Sequence, residues 1–328
     1  MAHNLAVANG KTAMAYTGEA PWHKLGTKVD GAMTSAEAIK AAGIDWQVEK
    51  MEAYWRTDGD AFKQIPDRFA TVRMDTFEAL GVVGRVYRPL QNREAFSFFD
   101  AIVGEKLAMY HVAGALGKGE RVWILAKIPG ELWITPNDNV EKYLLLSNSH
   151  DGYSSVEIMV TPIRVVCQNT LNTALSCGDE RRTKVRHTLN IGLGIAEIRT
   201  QLGIVDAYFK RFETIGQMLV SKQATSEVVE HLLTDLGLSK EKAKESTRTE
   251  NIRFDILKLF EKGKGNDLPG VRGSQWALFN GVAEYVDHKR SARGSTDDEK
   301  IESRATSLLF GSGAAMKQKA LDSLLAVK

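Results

Sequence analysis

Apolar residues change their spacing near the middle of the chain. Residues 46 to about 165 carry Val, Ile, Tyr, Trp and Phe in short runs, whereas 190–328 carry long patterns of helical period. Alternation of apolar and polar residues marks a half-buried strand, and recurrence every three or four marks an amphipathic helix. The alternation over 46–56 predicts a strand, and 69–74 and 81–88 predict two more. Four further strands are predicted at 107–116, 121–128, 140–147 and 156–166. Gly117–Lys118–Gly119 suits a hairpin turn between the first two of these, because glycine tolerates positive φ. Residues 34–42 read as a short helix, with Thr34 and Glu37 matching a capping box. Residues 91–103 read as a second, with Phe96, Phe99, Ile102 and Val103 at helical spacing. Consecutive strands with short connections imply an antiparallel sheet with that helix packed on one face.

In the second half, Ile195, Ile198, Leu202, Val205, Phe209, Phe212, Ile215 and Leu219 follow one another at three- and four-residue steps. They predict an amphipathic helix of about eight turns. A place inside a bundle is preferred to a subunit-bridging coiled coil, since Gly203 and Gly216 weaken a long free helix. Further helices are expected at 226–236, 240–261, 274–289, 297–310 and 314–326, with exposed loops at 262–272 and 289–298. The expected fold class is therefore α+β: an antiparallel sheet with a packed helix in the N-terminal half, and a helical bundle in the C-terminal half. The division is drawn as a mixed β-sheet domain over 1–190, ending in a basic segment, and a helical domain over 191–328.

Composition narrows the class. The 328 residues are 43% hydrophobic and 26% charged, which excludes a wholly disordered chain, a collagen and a disulfide scaffold. No internal repeat of solenoid or propeller length is visible. The opening residues hold no continuous apolar core of a secretory signal, and no run approaches a membrane span. A cytoplasmic chain with no membrane partner is expected. Cys167 and Cys177 lie ten positions apart in no CxxC pair, so they read as reduced thiols rather than metal ligands or a disulfide.

Net charge is only +2, with 43 Lys and Arg against 41 Asp and Glu. That excludes a uniformly basic nucleic-acid binder. The distribution is uneven, however. Residues 1–160 hold 17 basic and 20 acidic groups (−3), 161–222 hold 9 and 5 (+4), and 223–328 hold 17 and 16 (+1). The basic middle contains Arg164, Arg181, Arg182, Lys184 and Arg186, with His187 beside them. Such groups neutralise phosphates, and the released counterions drive binding. Arg182, Lys184 and Arg186 alternate, so a strand would present them on one side. The competing reading is a solvated edge strand whose charges discourage aggregation. Tyr87 lies between Arg85 and Arg88, and Trp123 between Arg121 and Lys127. Aromatics so placed could stack the bases of single strands, or could belong to the core.

Catalytic signatures are sparse. The seven histidines, at 3, 23, 111, 150, 187, 231 and 288, form no HxH or HExxH, so neither a metal nor a cofactor is expected. Ser147–Asn148–Ser149–His150–Asp151–Gly152 could present His150 and Asp151 as an acid/base pair, with His23 a further candidate. The same string also suits a loop whose short polar side chains bond their own backbone. Gly192–Leu193–Gly194 lacks the rest of a dinucleotide loop, and no phosphate-binding GxxxxGK[ST] or nucleophile GxSxG occurs. Thr161–Pro162 reads as a strand stop, and Asn169–Thr170 as the start of a helix whose free N–H groups, beside Arg164, would suit an anion.

Three strings carry a family resemblance. They are Pro21–Trp22–His23–Lys24–Leu25–Gly26; Ser149–His150–Asp151–Gly152 followed by Thr161–Pro162–Ile163–Arg164–Val165–Val166–Cys167–Gln168–Asn169–Thr170–Leu171; and Trp276 through His288. Together they resemble the phage/plasmid-like protein family, a numbered domain of unknown function carried by phages, prophages and plasmids. Lys24 departs from the pattern, which more often has glycine there. The resemblance implies an accessory protein of a mobile element. Its sheet, central helix and helical tail are also similar in plan to single-strand annealing recombinases. The leading expectation is a non-enzymatic, homo-oligomeric nucleic-acid-binding protein, bound to single-stranded DNA in recombination or replication. The alternatives are an interaction module for a host or phage protein, and a hydrolase or nuclease using His150, Asp151 and His23.

Overall fold

In the computed structural model the described residues are 7–8, 11–17, 27–29, 33–58, 60–96, 100, 109–164, 169–170, 182–185, 194–291, 307 and 311–327. Cys167, Cys177 and most of 292–310 lie outside them.

Short strands open the chain: β1 (Val7–Ala8), β2 (Lys11–Thr12), β3 (Met14–Tyr16) and β4 (Thr27–Lys28). Helix α1 (Ser35–Ala42) follows. The Thr34 hydroxyl accepts from Glu37 N–H at 3.3 Å, and the Glu37 carboxylate accepts from Thr34 N–H at 2.8 Å, which completes the capping box. Strands β5 (Val48–Arg56), β6 (Phe62–Arg73) and β7 (Glu78–Gly84) form an antiparallel meander, a three-stranded sheet of their own. Strands β8 (Met109–Leu116), β9 (Arg121–Thr135), β10 (Asp138–Ser149) and β11 (Val156–Arg164) are the centre of a second, eight-stranded sheet. Its order is β12-β11-β10-β9-β8-β3-β4, where β12 is Asn169–Thr170; β13 (Arg182–Val185) also pairs with β11. All its ladders are antiparallel except β3 with β4.

The second half is helical: α2 (Gly194–Ser221), α3 (Ser226–Asp235), α4 (Lys240–Glu245), α5 (Thr247–Lys262), α6 (Gln275–Glu284), a π turn at Tyr285–Lys289, and α7 (Ser312–Ala326). The α+β reading holds. The helices do not stand apart from the sheet, because one hydrophobic cluster runs from Ala13 through Ile124 and Leu146 to Phe279 and Leu324. Helix α2 lies on β9. Glu213 accepts from Trp133 N–H at 2.9 Å, and the Gln217 amide donates to Trp133 C=O at 2.9 Å. At Gly216 a Cβ would stand 2.5 Å from Ile134 Cδ1, so the missing side chain sets the approach of helix to strand.

Helix α6 is the pivot. Every residue from Gln275 to Ala283 is buried, which is why its sequence is apolar nearly all round. Trp276, Phe279, Val282 and Val286 face the core as their spacing requires, and Trp276 Nε1–H donates to Asp138 at 2.8 Å. A Cβ at Gly281 would meet Phe260 N at 2.9 Å and Phe260 Cα at 3.1 Å, both backbone atoms of α5. Gly281→Ala must therefore push two helices apart. It is expected to cost about 1–3 kcal/mol, read as a lower urea midpoint, as overpacked cores do.

Several elements differ from expectation for local reasons. The stretch 240–261 is two helices, broken at Ser246 (φ −144°, ψ 107°), whose hydroxyl caps the second by accepting from Thr249 N–H at 3.3 Å. Strand β9 runs on to Thr135 by bulging at Pro129–Gly130, where Gly130 has φ 84°. Strand β6 begins at Phe62, seven residues before the expected strand. Strand β11 passes through Thr161–Pro162 and ends at Arg164, so Pro162 does not stop it. The loop 262–272 is partly buried, since the Asn266 amide donates to Leu259 C=O at 2.9 Å and Ala277 C=O at 3.0 Å. No helix among the described residues is long and apolar enough to cross a membrane.

Candidate nucleic-acid interface

The basic segment meets the eight-stranded sheet at one edge. Beyond β11, the register sets Arg164 against Asn169 of β12, and sets Met159 against Arg182 and Glu157 against Lys184 of β13. The backbone thus gathers Arg164, Arg182 and Lys184 onto two neighbouring strands, and Arg182 and Lys184 occupy alternate positions of one of them. Arg181, Arg186, His187 and His23 lie outside the described residues. The expected helix at Asn169–Thr170 is corrected to strand, because these residues pair with Arg164 and Ile163. No helix therefore begins at Asn169–Thr170 itself.

The aromatic partners fall away on burial. Trp123 is 6% exposed and packs with Met14, Val112, Leu116, Leu145 and Met159, so it offers no face to a base. Tyr87 is half-buried, and its hydroxyl donates to Ser149 C=O at 3.0 Å. Burial and the nearby Asp151 hold that phenol protonated, far above its ordinary range. Arg121 donates to Ser154 Oγ at 2.7 Å, and Lys127 is ion-paired with Glu141. Both cations are already engaged within the sheet.

His150 and Asp151 do not form an acid/base pair. His150 is 0% exposed. Its Nε2 bonds Asn92 Oδ1 at 2.9 Å, its ring meets Trp46 edge-on at 5.4 Å, and its carbonyl accepts from Thr71 Oγ1 at 2.7 Å. Beside it Arg73, 1% exposed, lies over the Trp46 ring at 4.7 Å and donates to Asp75 and to Lys118 C=O. The Asp151 carboxylate instead accepts from Ser149 Oγ and from Tyr153 N–H, a turn bonded to its own backbone. This polar knot joins the meander to the large sheet, with the imidazole buried inside it.

Sequence reasoning missed a second polar group, on the sheet face away from the helices. His111 sits at a bulge in β8 and packs against Tyr143 at 5.4 Å. The Tyr143 hydroxyl donates to Glu141 at 2.7 Å, and Lys127 and Thr161 lie across from Tyr143 in the two flanking strands. Burial lowers the His111 pKa, against the pull of Glu141, so the ring is neutral. Burial and Glu141 push the Tyr143 phenol up, so it stays protonated. His111 Nδ1 and Thr161 Oγ1 are buried without a hydrogen-bond partner. The available signal was a bulge, which no residue type announces. Chemically the group offers hydrogen bonds, while its one carboxylate is occupied by Lys127 and Tyr143. Among the described residues no cluster of three His, Cys, Asp or Glu could hold a metal.

A family model described as a domain of unknown function, DUF932, matches residues 79–309, well over half of the chain. The chain belongs to the DUF932 family. The comparisons with curated proteins and with solved structures gave no match. The DUF932 match takes in the eight-stranded sheet from β8 onward, the polar group around His111, the basic edge and helix α6. It leaves out strands β5 and β6.

Proposed function

We propose that this DUF932 protein is a non-enzymatic nucleic-acid-binding accessory protein of a phage or plasmid, acting on single-stranded DNA in annealing or recombination. The observation that carries the reading is the basic edge: Arg164, Arg182 and Lys184 on adjacent strands, continued in sequence by Arg181, Arg186 and His187. Phosphates would be neutralised along that edge, a sequence-independent contact with strong salt dependence. An enzymatic reading through His150 has less support, because that ring is closed off from solvent.

The test is a salt titration of single- and double-stranded DNA binding by the full chain. The wild type is expected to bind at low salt. The triple variant Arg164→Ala, Arg182→Ala, Lys184→Ala is expected to flatten the plot of log affinity against log salt by about 0.7 per lost phosphate contact on a single strand. Absence of binding by the wild type at low salt overturns the reading, as does a triple variant with an unchanged slope.

A further inference from the structure

We infer that the β5–β6 hairpin is a self-association arm whose aromatic, acidic tip docks on the basic β7 side of a second copy of this chain.

The hairpin reaches past the core. Tyr54, Trp55 and Phe62 are 52%, 51% and 69% exposed. Tyr54 pairs with Gln64, Trp55 with Lys63, and Arg56 with Phe62. Cross-strand partners share a face, so Tyr54 and Phe62 stand on one side and Trp55 on the other. Both faces of the tip thus carry an aromatic side chain at least half exposed. Large aromatics gathered in the open mark an interaction surface.

Charge selects the partner. Residues 52–67 carry Glu52, Asp58, Asp60 and Asp67 against Arg56 and Lys63, four acids and two bases, net −2. A tip of that sign repels phosphates, so nucleic acid is not its occupant. The opposite sign and a matching apolar surface occur at the other side of the same meander. Val82 and Val86 are 61% and 82% exposed, and the exposed Arg85 and Arg88 flank Val86. Tyr153, 91% exposed, is carried next to them by a turn seated on β7, where a Cβ at Gly152 would stand 2.7 Å from Val83 Cγ1. The turn bearing Arg85 is braced by Lys50, whose ammonium donates to the carbonyls of Arg85 and Tyr87 at 2.7 and 3.1 Å.

Geometry makes the contact intermolecular. β6 pairs with β7 only from Arg68 to Arg73, whereas the β5–β6 pairing runs on to Arg56 and Phe62. The paired hairpin therefore carries its aromatic tip past the end of its own β7 and away from the turn at Arg85, which Lys50 meets nearer the other end of β5. Arm and receiver are different surfaces, so the contact closes as a reciprocal two-fold exchange or a ring, or runs on as a filament. This inference is independent of the nucleic-acid reading and stands or falls without it.

The experiment is particle mass against concentration for the full chain, free of nucleic acid, by light scattering and sedimentation. The wild type is expected to exceed monomer mass at micromolar concentration. Trp55→Ser with Phe62→Ser is expected to weaken association by roughly tenfold or more, as loss of aromatic anchors does, with circular dichroism and melting unchanged. Arg85→Glu with Arg88→Glu is expected to weaken it likewise, and Glu52→Lys with Asp58→Lys in the same chain to restore it. A wild type that stays monomeric overturns the proposal. So does an oligomer indifferent to both variants, or an arm variant that lowers DNA affinity while its mass is unchanged.

Discussion

Lys317→Met is expected to destabilise the fold by about 3–5 kcal/mol, the cost of breaking a buried ion pair from one side. The ammonium of Lys317 is 2.9 Å from the Asp287 carboxylate, with the two side chains 0% and 3% exposed. Removing the ammonium takes away a charge partner of a carboxylate buried between α7 and the π turn. Replacing both, Lys317→Met with Asp287→Leu, is expected to regain most of the loss, since a buried pair often does no better than an apolar one. Urea unfolding of the wild type, single and double variants separates these outcomes. A single variant within about 1 kcal/mol of the wild type would mean that water reaches the pair.

Trp276→Ala is expected to cost about 3–5 kcal/mol, the range for emptying a buried aromatic site. The indole is 1% exposed and touches Phe212 and Phe279. Its N–H also reaches Asp138, 138 residues away in the chain and 0% exposed. Trp276→Phe keeps most of the packing but removes that donor, and about 1–3 kcal/mol is expected for the change. The ordering Ala below Phe below wild type in thermal melting checks both contributions at once.

What could be read from residues was local or periodic. The Thr34–Glu37 box needs only a three-residue spacing, and the face of α6 needs only the 3.6 repeat. Both are found as expected. Ser246 ends one helix and caps the next without glycine or proline, so the break had no sign but a serine, a residue that also occurs inside helices. Pro162 looked like a stop because proline lacks an N–H. In a ladder that matters only on the side where the N–H would donate, and β11 continues to Arg164. The seven residues by which β6 precedes the expected strand are mostly exposed and carry no apolar alternation. The candidate sites fared by the same rule. Trp123 looked like a stacking platform because it lies between two cations in sequence, but alternation along β9 turns it into an apolar cluster. The grouping of His111 with Tyr143 and Thr161 depends on register across four strands and one bulge, which no spacing along the chain encodes.

The bond from Trp276 to Asp138 has a consequence for how the protein is made. A ribosome delivers the sheet first, at about 5–20 residues per second. The β9–β10 hairpin must then wait for α6, which emerges more than a hundred residues later. Through that interval the apolar face bearing Ile124, Ile134, Leu144 and Leu146 lacks the cover that α6 gives it, even after α2 has reached Ile134. Slow synthesis of 190–275 lengthens the wait, and a chaperone that shields strands shortens its harm. Yield in a host is therefore expected to follow the rate at which that one stretch is translated.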